Sequence, residues 1–195
     1  MLKSCLEDLW RYEGRRCHSL IIQLRYFIFT PAFRYTYFLR HAKQATNPLT
    51  KLYWRFRLLR CSHKYGFQIP FTTKIGRGFR LAHFGHIVVN PSAEIGKDCT
   101  LAQGVLIGNA EGKKAGAPVI GDRCHIAANV TIIGGVKVGD DVLFAPGAFC
   151  NFDVPSNSIV IGNPGKIITR EASPTRKYIV YSIDDFEKKY PTESI

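Results

Sequence analysis

The side chains best suited to moving protons in this 195-residue sequence are its six histidines. Two of them, His83 and His86, stand three residues apart in the segment IGRGFRLAHFGHIVV, Ile75 to Val89. Imidazole accepts a proton near neutral pH, so a histidine held beside a reacting hydroxyl can act as a general base. An isolated histidine on a strand face is as readily structural, and residue type alone leaves both roles open. His125 precedes an apolar Ile126 and should point outward, either into a groove or into solvent. His18, His41 and His63 fall in a helical part and read as surface residues. The six cysteines, at 5, 17, 61, 99, 124 and 150, form no CxxC pair and no metal-ligand spacing with histidine. They read as reduced and mostly buried, and no metal is expected. No Gly-rich phosphate loop is present, so a nucleoside triphosphate site is not expected.

The elements that must position these groups follow from a change of period near residue 66. Beyond it, apolar residues recur every six positions: Ile69, Ile75, Leu81 and Ile87, then Ile95, Leu101 and Ile107 after a two-residue slip. A loop intervenes, and the register resumes through Ile120, Ile126, Ile132, Val138, Phe144 and Cys150. Four positions further on there is usually a small or β-branched residue, such as Cys99, Val105, Cys124 or Val130. Glycine repeatedly follows the apolar residue, at 76, 96, 108, 121 and 139. Six residues make one short strand and one turn, so three units close a triangular coil of about 18 residues whose stacking buries a continuous core. The polar loop Asn109–Pro118 breaks the register, and insertions in solenoids often mark a binding face.

Before residue 66 the pattern is helical. Ser4 with Glu7 fits a capping box opening a first helix. The run Leu24 to Leu39 predicts two helices meeting at Thr30-Pro31. Asn47-Pro48 predicts a capped helix through about Arg60. Three parts result: a helical segment at 1–65, a β-helix at 66–168 and a tail at 169–195 that reads as a helix or an ordered arm. The formal net charge is +12, and residues 1–65 carry 13 basic residues against three acids. Such a face is either solvated or drawn to polyanions, with an anionic membrane surface as one hypothesis. No nucleic-acid module accompanies it, and nucleic acid is not expected as a partner. The longest apolar stretch, Leu20 to Phe33, is broken by Gln23 and Arg25 and too short to span a bilayer. Without a signal-peptide pattern the expected location is cytoplasmic, peripheral to the inner membrane face if the basic segment binds lipid.

The hexads from about Tyr65 to Ile168 resemble the left-handed β-helix acyltransferases of bacteria. The match is to the serine acetyltransferase-like group, which includes O-acetyltransferases of capsule and exopolysaccharide synthesis. It is carried by IGRGFRLAHFGHIVV, by PVIGDRCHIAANVTIIGGVKVGDDV at Pro118–Val142, and by DVPSNSIVIGNPGKII at Asp153–Ile168. The resemblance implies a mainly β fold, a left-handed parallel β-helix behind an N-terminal α-helical segment. It implies an acetyl-CoA-dependent O-acetyltransferase working as a homotrimer, with the site between subunits.

In that group the histidine of IGxGxxLxH is the general base, which falls on His83. The residue fifteen positions earlier, which orients the imidazole, is Gln68 here rather than Asp. His86, Ala82 and Asn90 would line the acceptor. Gly108, Ala128, Pro146 and Lys166 would hold the coenzyme. Ala82 stands where serine acetyltransferases carry Asp, Gly116-Ala117-Pro118 where many carry Arg-His-Pro, and Thr30-Pro31 where they carry Asp-Pro. These departures remove charges that hold an amino acid, so a sugar hydroxyl of a surface polysaccharide or its precursor is the expected acceptor. L-serine is the alternative, with which the ending Glu193-Ser194-Ile195 is compatible. A non-catalytic β-helix scaffold is the second alternative.

Overall fold

A residue recurring every sixth position returns to the same side of the backbone once per strand and turn. The computed structural model, described over residues 1–191, follows that rule. The first coil holds β1 (Phe67–Gln68), β2 (Lys74–Ile75) and β3 (Arg80–Leu81). The second holds β4 (Ile87–Val89), β5 (Glu94–Ile95) and β6 (Thr100–Leu101). The third holds β7 (Leu106–Gly108), β8 (Val119–Ile120) and β9 (His125–Ile126). The fourth holds β10 (Thr131–Ile133), β11 (Lys137–Val138) and β12 (Leu143–Phe144), followed by β13 (Phe149–Cys150). An antiparallel hairpin of β14 (Ser158–Ile161) and β15 (Lys166–Thr169) closes the stack. Three sheets result, built from every third strand until the closing hairpin joins the last: β1-β4-β7-β10-β13, β2-β5-β8-β11, and β3-β6-β9-β12-β14-β15. The prism is a left-handed parallel β-helix.

All thirteen apolar register residues, from Ile69 to Cys150, are buried and belong to one core. The residues four positions on point inward as well, so Cys99, Val105, Cys124 and Val130 fill the prism. All six cysteines are free and buried, and burial raises the Cys5 thiol above its ordinary value. The glycines after β2, β5, β8 and β11 stack on one another at the corner between the second and third sheets. A Cβ on Gly76 would lie 2.5 Å from Gly96, one on Gly96 2.5 Å from Gly121, and one on Gly121 2.7 Å from Gly139. Gly108 is not part of this column, because it ends a strand of the first sheet and a Cβ there meets only Ile133 at 3.4 Å.

The helices cover the open N-terminal end of the stack, where a first coil would leave backbone groups bare. They are α1 (Lys3–Glu13), α2 (Leu20–Phe29), α3 (Pro31–Gln44) and α4 (Pro48–Tyr65). Tyr35 donates to the Ile69 carbonyl at 2.9 Å and accepts from the Ile69 N–H at 3.1 Å. Arg40, paired with buried Asp8, donates to the carbonyls of Ile75 and Gly76. Asp8 accepts from the Phe79 N–H at 2.9 Å, and Arg11 donates to Gly78 at 2.7 Å. After the hairpin, a C-terminal arm returns along the prism to α5 (Ile183–Lys189), whose Phe186 packs on Trp10 of α1.

Three local expectations change. Ser4 does not cap α1: the helix begins from Leu2 without a side-chain cap, while Ser4 accepts from Gln44 and Glu7 pairs with Arg77. Asn47 caps α4 by accepting from Leu49 and Thr50, but the helix runs on to Tyr65 and ends at Gly66 in the left-handed region, φ 75°. His41 is no surface residue: it stacks between Tyr37 and Trp54, and burial lowers its pKa. The ending Glu193-Ser194-Ile195 lies outside the described residues.

Candidate active site

His83 lies on the turn at residues 82–86, between β3 on the third sheet and β4 on the first. The turn is pinned by backbone bonds. Ala82 N–H donates to Leu101, Gly85 N–H to Tyr65 at 3.2 Å, Ile87 N–H to Gly66, and Gly104 N–H to His86 at 2.7 Å. The imidazoles of His83 and His86 are both exposed, held on a fixed backbone with no burial of their own.

The same corner repeats in each coil, so the position of His83 is followed downwards by Gln103, Ala128 and Pro146. With coils about 4.8 Å apart, His83 and Pro146 are roughly 14 Å apart along the edge. Beneath Pro146 lies the hairpin turn that leads to exposed Lys166. Among the described residues, the N–H groups of His83, Gln103 and Ala128 have no backbone acceptor. They line the edge as a file of free donors. Gln103 also carries a buried Oε1 without a partner among the described residues. Sequence reasoning missed it because no motif marks it; only its stacking beneath the His83 turn does.

The other expected residues stand elsewhere. Gln68 is exposed on the outward row of the first sheet, paired in register with Val88. Among the described residues it has no hydrogen bond with His83. Asn90 follows β4 at the far edge of the first sheet, where its Nδ2 donates to Asn109 at 3.1 Å. Gly108 and the inserted loop occupy that same far edge. Gln68 and Asn90 share a cavity of about 600 Å³ with Tyr35, Arg55, Leu58 and Phe71, formed where α4 overhangs the first sheet. A single chain therefore gathers His83, His86, Ala82, Ala128 and Pro146 at one edge, and Asn90 and Gly108 at another.

His125 does point outward from β9, but it lines no open groove. The chain's own C-terminal arm lays Tyr178 over the ring, with centroids 4.3 Å apart. Burial, with Arg80 and Arg11 nearby, lowers its pKa to about 4. Among the described residues no group of three His, Cys, Asp or Glu side chains is arranged to hold a metal.

Residues 117–151 match the bacterial transferase hexapeptide (six repeats) family. The chain is 39% identical over 111 residues to serine acetyltransferase 4 of Arabidopsis thaliana, covering 56% of this chain and 31% of that protein. It is 32% identical over 103 residues to WcaB of Escherichia coli, named as a colanic acid biosynthesis acetyltransferase, covering 53% and 64%. The chain thus spans between about a third and two thirds of the length of these relatives. Among solved structures, serine acetyltransferase from Brucella abortus in complex with coenzyme A superposes with a TM-score of 0.70. That superposition is at 22% identity, over 87% of this chain and 67% of that one. With the hexads, the stacked coils and these matches together, the β-helix of this chain is similar to the hexapeptide-repeat acyltransferases.

Proposed function

We propose that the protein transfers an acetyl group from acetyl-CoA to a hydroxyl, with His83 as the general base. The reading is carried by one observation: an exposed imidazole on a pinned turn heads an edge of free backbone donors. Coenzyme binding is supported by the solved relative that holds coenzyme A. Its acyl end would sit by His83 and its length along Ala128 and Pro146, towards Lys166. His83 takes the acceptor proton as the oxygen bonds to the thioester carbonyl carbon. The C–S bond then breaks, and the departing thiolate takes the proton from the imidazolium. A free N–H on the edge would stabilise the oxyanion between these steps. His83→Ala should lower thiol release from acetyl-CoA by about 10²–10⁴-fold while coenzyme binding survives. Unchanged turnover in that variant would refute the assignment.

For the acceptor, serine is supported at least as well by relatives as a sugar is. Proteins named serine acetyltransferase match from Arabidopsis thaliana, Helicobacter pylori and Bacillus subtilis. The sugar reading is supported by the WcaB relative and by Ala82 and Thr30, which put no charge where an amino acid would need one. Thiol release with L-serine against a hexose panel separates them: saturable turnover with serine alone ends the sugar reading. Gln68 and Asn90 would meet the His83 edge only across two copies, which supports assembly as a homotrimer.

We further propose that α2 and α4 rest on an anionic membrane surface. Leu49, Leu52, Tyr53, Phe56 and Leu59 form an exposed apolar stripe at helical spacing, and α4 carries cations but no acid. Among the described residues no helix is long and apolar enough to cross a membrane. Co-sedimentation with phosphatidylglycerol but not phosphatidylcholine vesicles is expected. Equal binding to both, or a stripe buried between copies in solution, would end the idea.

A further inference from the structure

Tyr65, which is hydrogen-bonded to the turn that carries His83, also lines a second cavity, of about 620 Å³, between α3 and α4. Its wall brings Arg34, Arg57, Arg60 and Lys64 together around the rings of Phe38 and Tyr65. Tyr65 is the hinge between the cavity and the turn. Its carbonyl accepts the Gly85 N–H, its ring lies 6.2 Å from Phe84, and its hydroxyl accepts from Arg34 at 2.6 Å.

The cations are held in place but not neutralised. Arg34 also donates to the Ile28 carbonyl, so its guanidinium is fixed at the cavity wall. Arg57 lies 5.0 Å over Phe38 and Lys64 5.4 Å over Tyr65. Rings orient such groups without cancelling their charge. Among the described residues, none of the four has a carboxylate within ion-pair distance. By contrast, Arg11, Arg40, Arg77 and Arg123 have acidic partners. No Asp or Glu occurs between Glu13 and Glu94, so α3 and α4 supply no carboxylate of their own, while Arg40 and Arg77 of the same stretch reach Asp8 and Glu7 on α1. Four like charges converging on one cavity repel each other, and a multiply charged anion relieves that repulsion while accepting forked guanidinium bonds.

We infer that this cavity is the subsite for a phosphate or diphosphate group on the acceptor, with His83 facing the hydroxyl to be acylated. The inference rests on the acetyl-transfer reading for the hydroxyl, but not for the anion. It narrows the acceptor class to a phosphorylated sugar. Phe38 and Tyr65 supply apolar surface beside the charge, as a sugar or base linked to phosphate requires.

Calorimetric titration of inorganic pyrophosphate into enzyme saturated with coenzyme A tests the subsite with the coenzyme's own phosphate sites filled. The wild type should bind one pyrophosphate. R57Q/R60Q should weaken it at least about tenfold, and R15Q/R16Q, which removes two cations remote from the cavity, should not. Lys64→Gln serves if the double variant loses its thermal transition. No binding by the wild type, or equal weakening in both double variants, overturns the subsite. Association of R57Q/R60Q with phosphatidylglycerol vesicles falling while soluble pyrophosphate never binds assigns the cations to lipid, and overturns it too. His83→Ala should bind pyrophosphate like the wild type. If no acceptor supports thiol release yet pyrophosphate binding is lost selectively in R57Q/R60Q, the acetyl-transfer reading fails and the anion subsite stands.

Discussion

His125 lies beneath Tyr178 with its ring nitrogen Nδ1 lacking a partner among the described residues, and its pKa lowered to about 4. An open-chain histidine titrates near 6.5. Between those values the unfolded chain takes up a proton that the folded chain refuses, so this residue makes stability fall as pH drops below about 6.5. Asp98 acts in the opposite sense: burial raises its pKa to about 6, despite Arg11 at 3.5 Å. Its contribution therefore falls as pH rises through 6. The net pH profile mixes the two, and a variant is needed to separate them. His125→Gln should gain on the wild type by about 1 kcal/mol between pH 7 and pH 5 in urea titrations, allowing for the ring's partial exposure. A difference that does not change with pH would show that the ring is not shielded. The outward direction of His125 was legible from its neighbour Ile126, but its cover was not. Tyr178 is 53 residues further on, in a tail with no period to place it. The role proposed for His83 rests on a motif and on a pinned turn, both local in the sequence.

At the scale of the element, the hexad explains why strands two to three residues long persist. Each contributes at least one buried side chain to the stack and bonds to neighbouring coils. The glycine column shows how the same period also excludes atoms. Gly121→Ala would force a Cβ to within 2.7 Å of the Gly139 backbone, which cannot move without shifting the next coil. It should cost about 3 kcal/mol and lower the thermal midpoint by several degrees. Gly108→Ala, where the new methyl only touches Ile133 at 3.4 Å, should leave the midpoint nearly unchanged. Calorimetry of both variants tests the distinction, and equal losses would mean that glycine serves only flexibility here. Period alone grouped Gly108 with the others, because it does not tell which sheet a hexad belongs to. The false capping box has a similar origin. Ser4 and Glu7 have the right spacing, yet Gln44 and Arg77 compete for them from 40 and 70 residues away. Contacts of that range are invisible to a local pattern.

Across the whole molecule, the prism has two ends and three faces, and each needs a different cover. The helices satisfy the first coil's backbone, the hairpin closes the last, and the arm lies along the third sheet, where it holds Tyr178 against His125. The period predicted the stack but not this division of labour, since caps lack the repeat by necessity. Of the other two faces, the second sheet carries Lys74, Glu94 and Lys137 outward, and the first is overhung by α4 only at its Gln68–Val88 end. The outward row of the first sheet reads Gln68, Val88, Leu106, Thr131 and Phe149, uncharged throughout and bracketed by the two edges that share the expected site residues. A neighbour packed there would bury that row and bring one copy's His83 edge towards another copy's Asn90 edge. Leu106 is 37% exposed at the middle of the row, so Leu106→Arg places a charge where the contact would be driest. In sedimentation equilibrium the wild type should behave as a species of about 66 kDa, three copies of the 22.0 kDa chain. Leu106→Arg should sediment as a monomer with its far-ultraviolet spectrum intact and acetyl transfer reduced by more than about tenfold, because half of each site would be missing. A monomeric variant with full activity would show that one chain suffices, and would return Gln68 and Asn90 to the surface of a single prism.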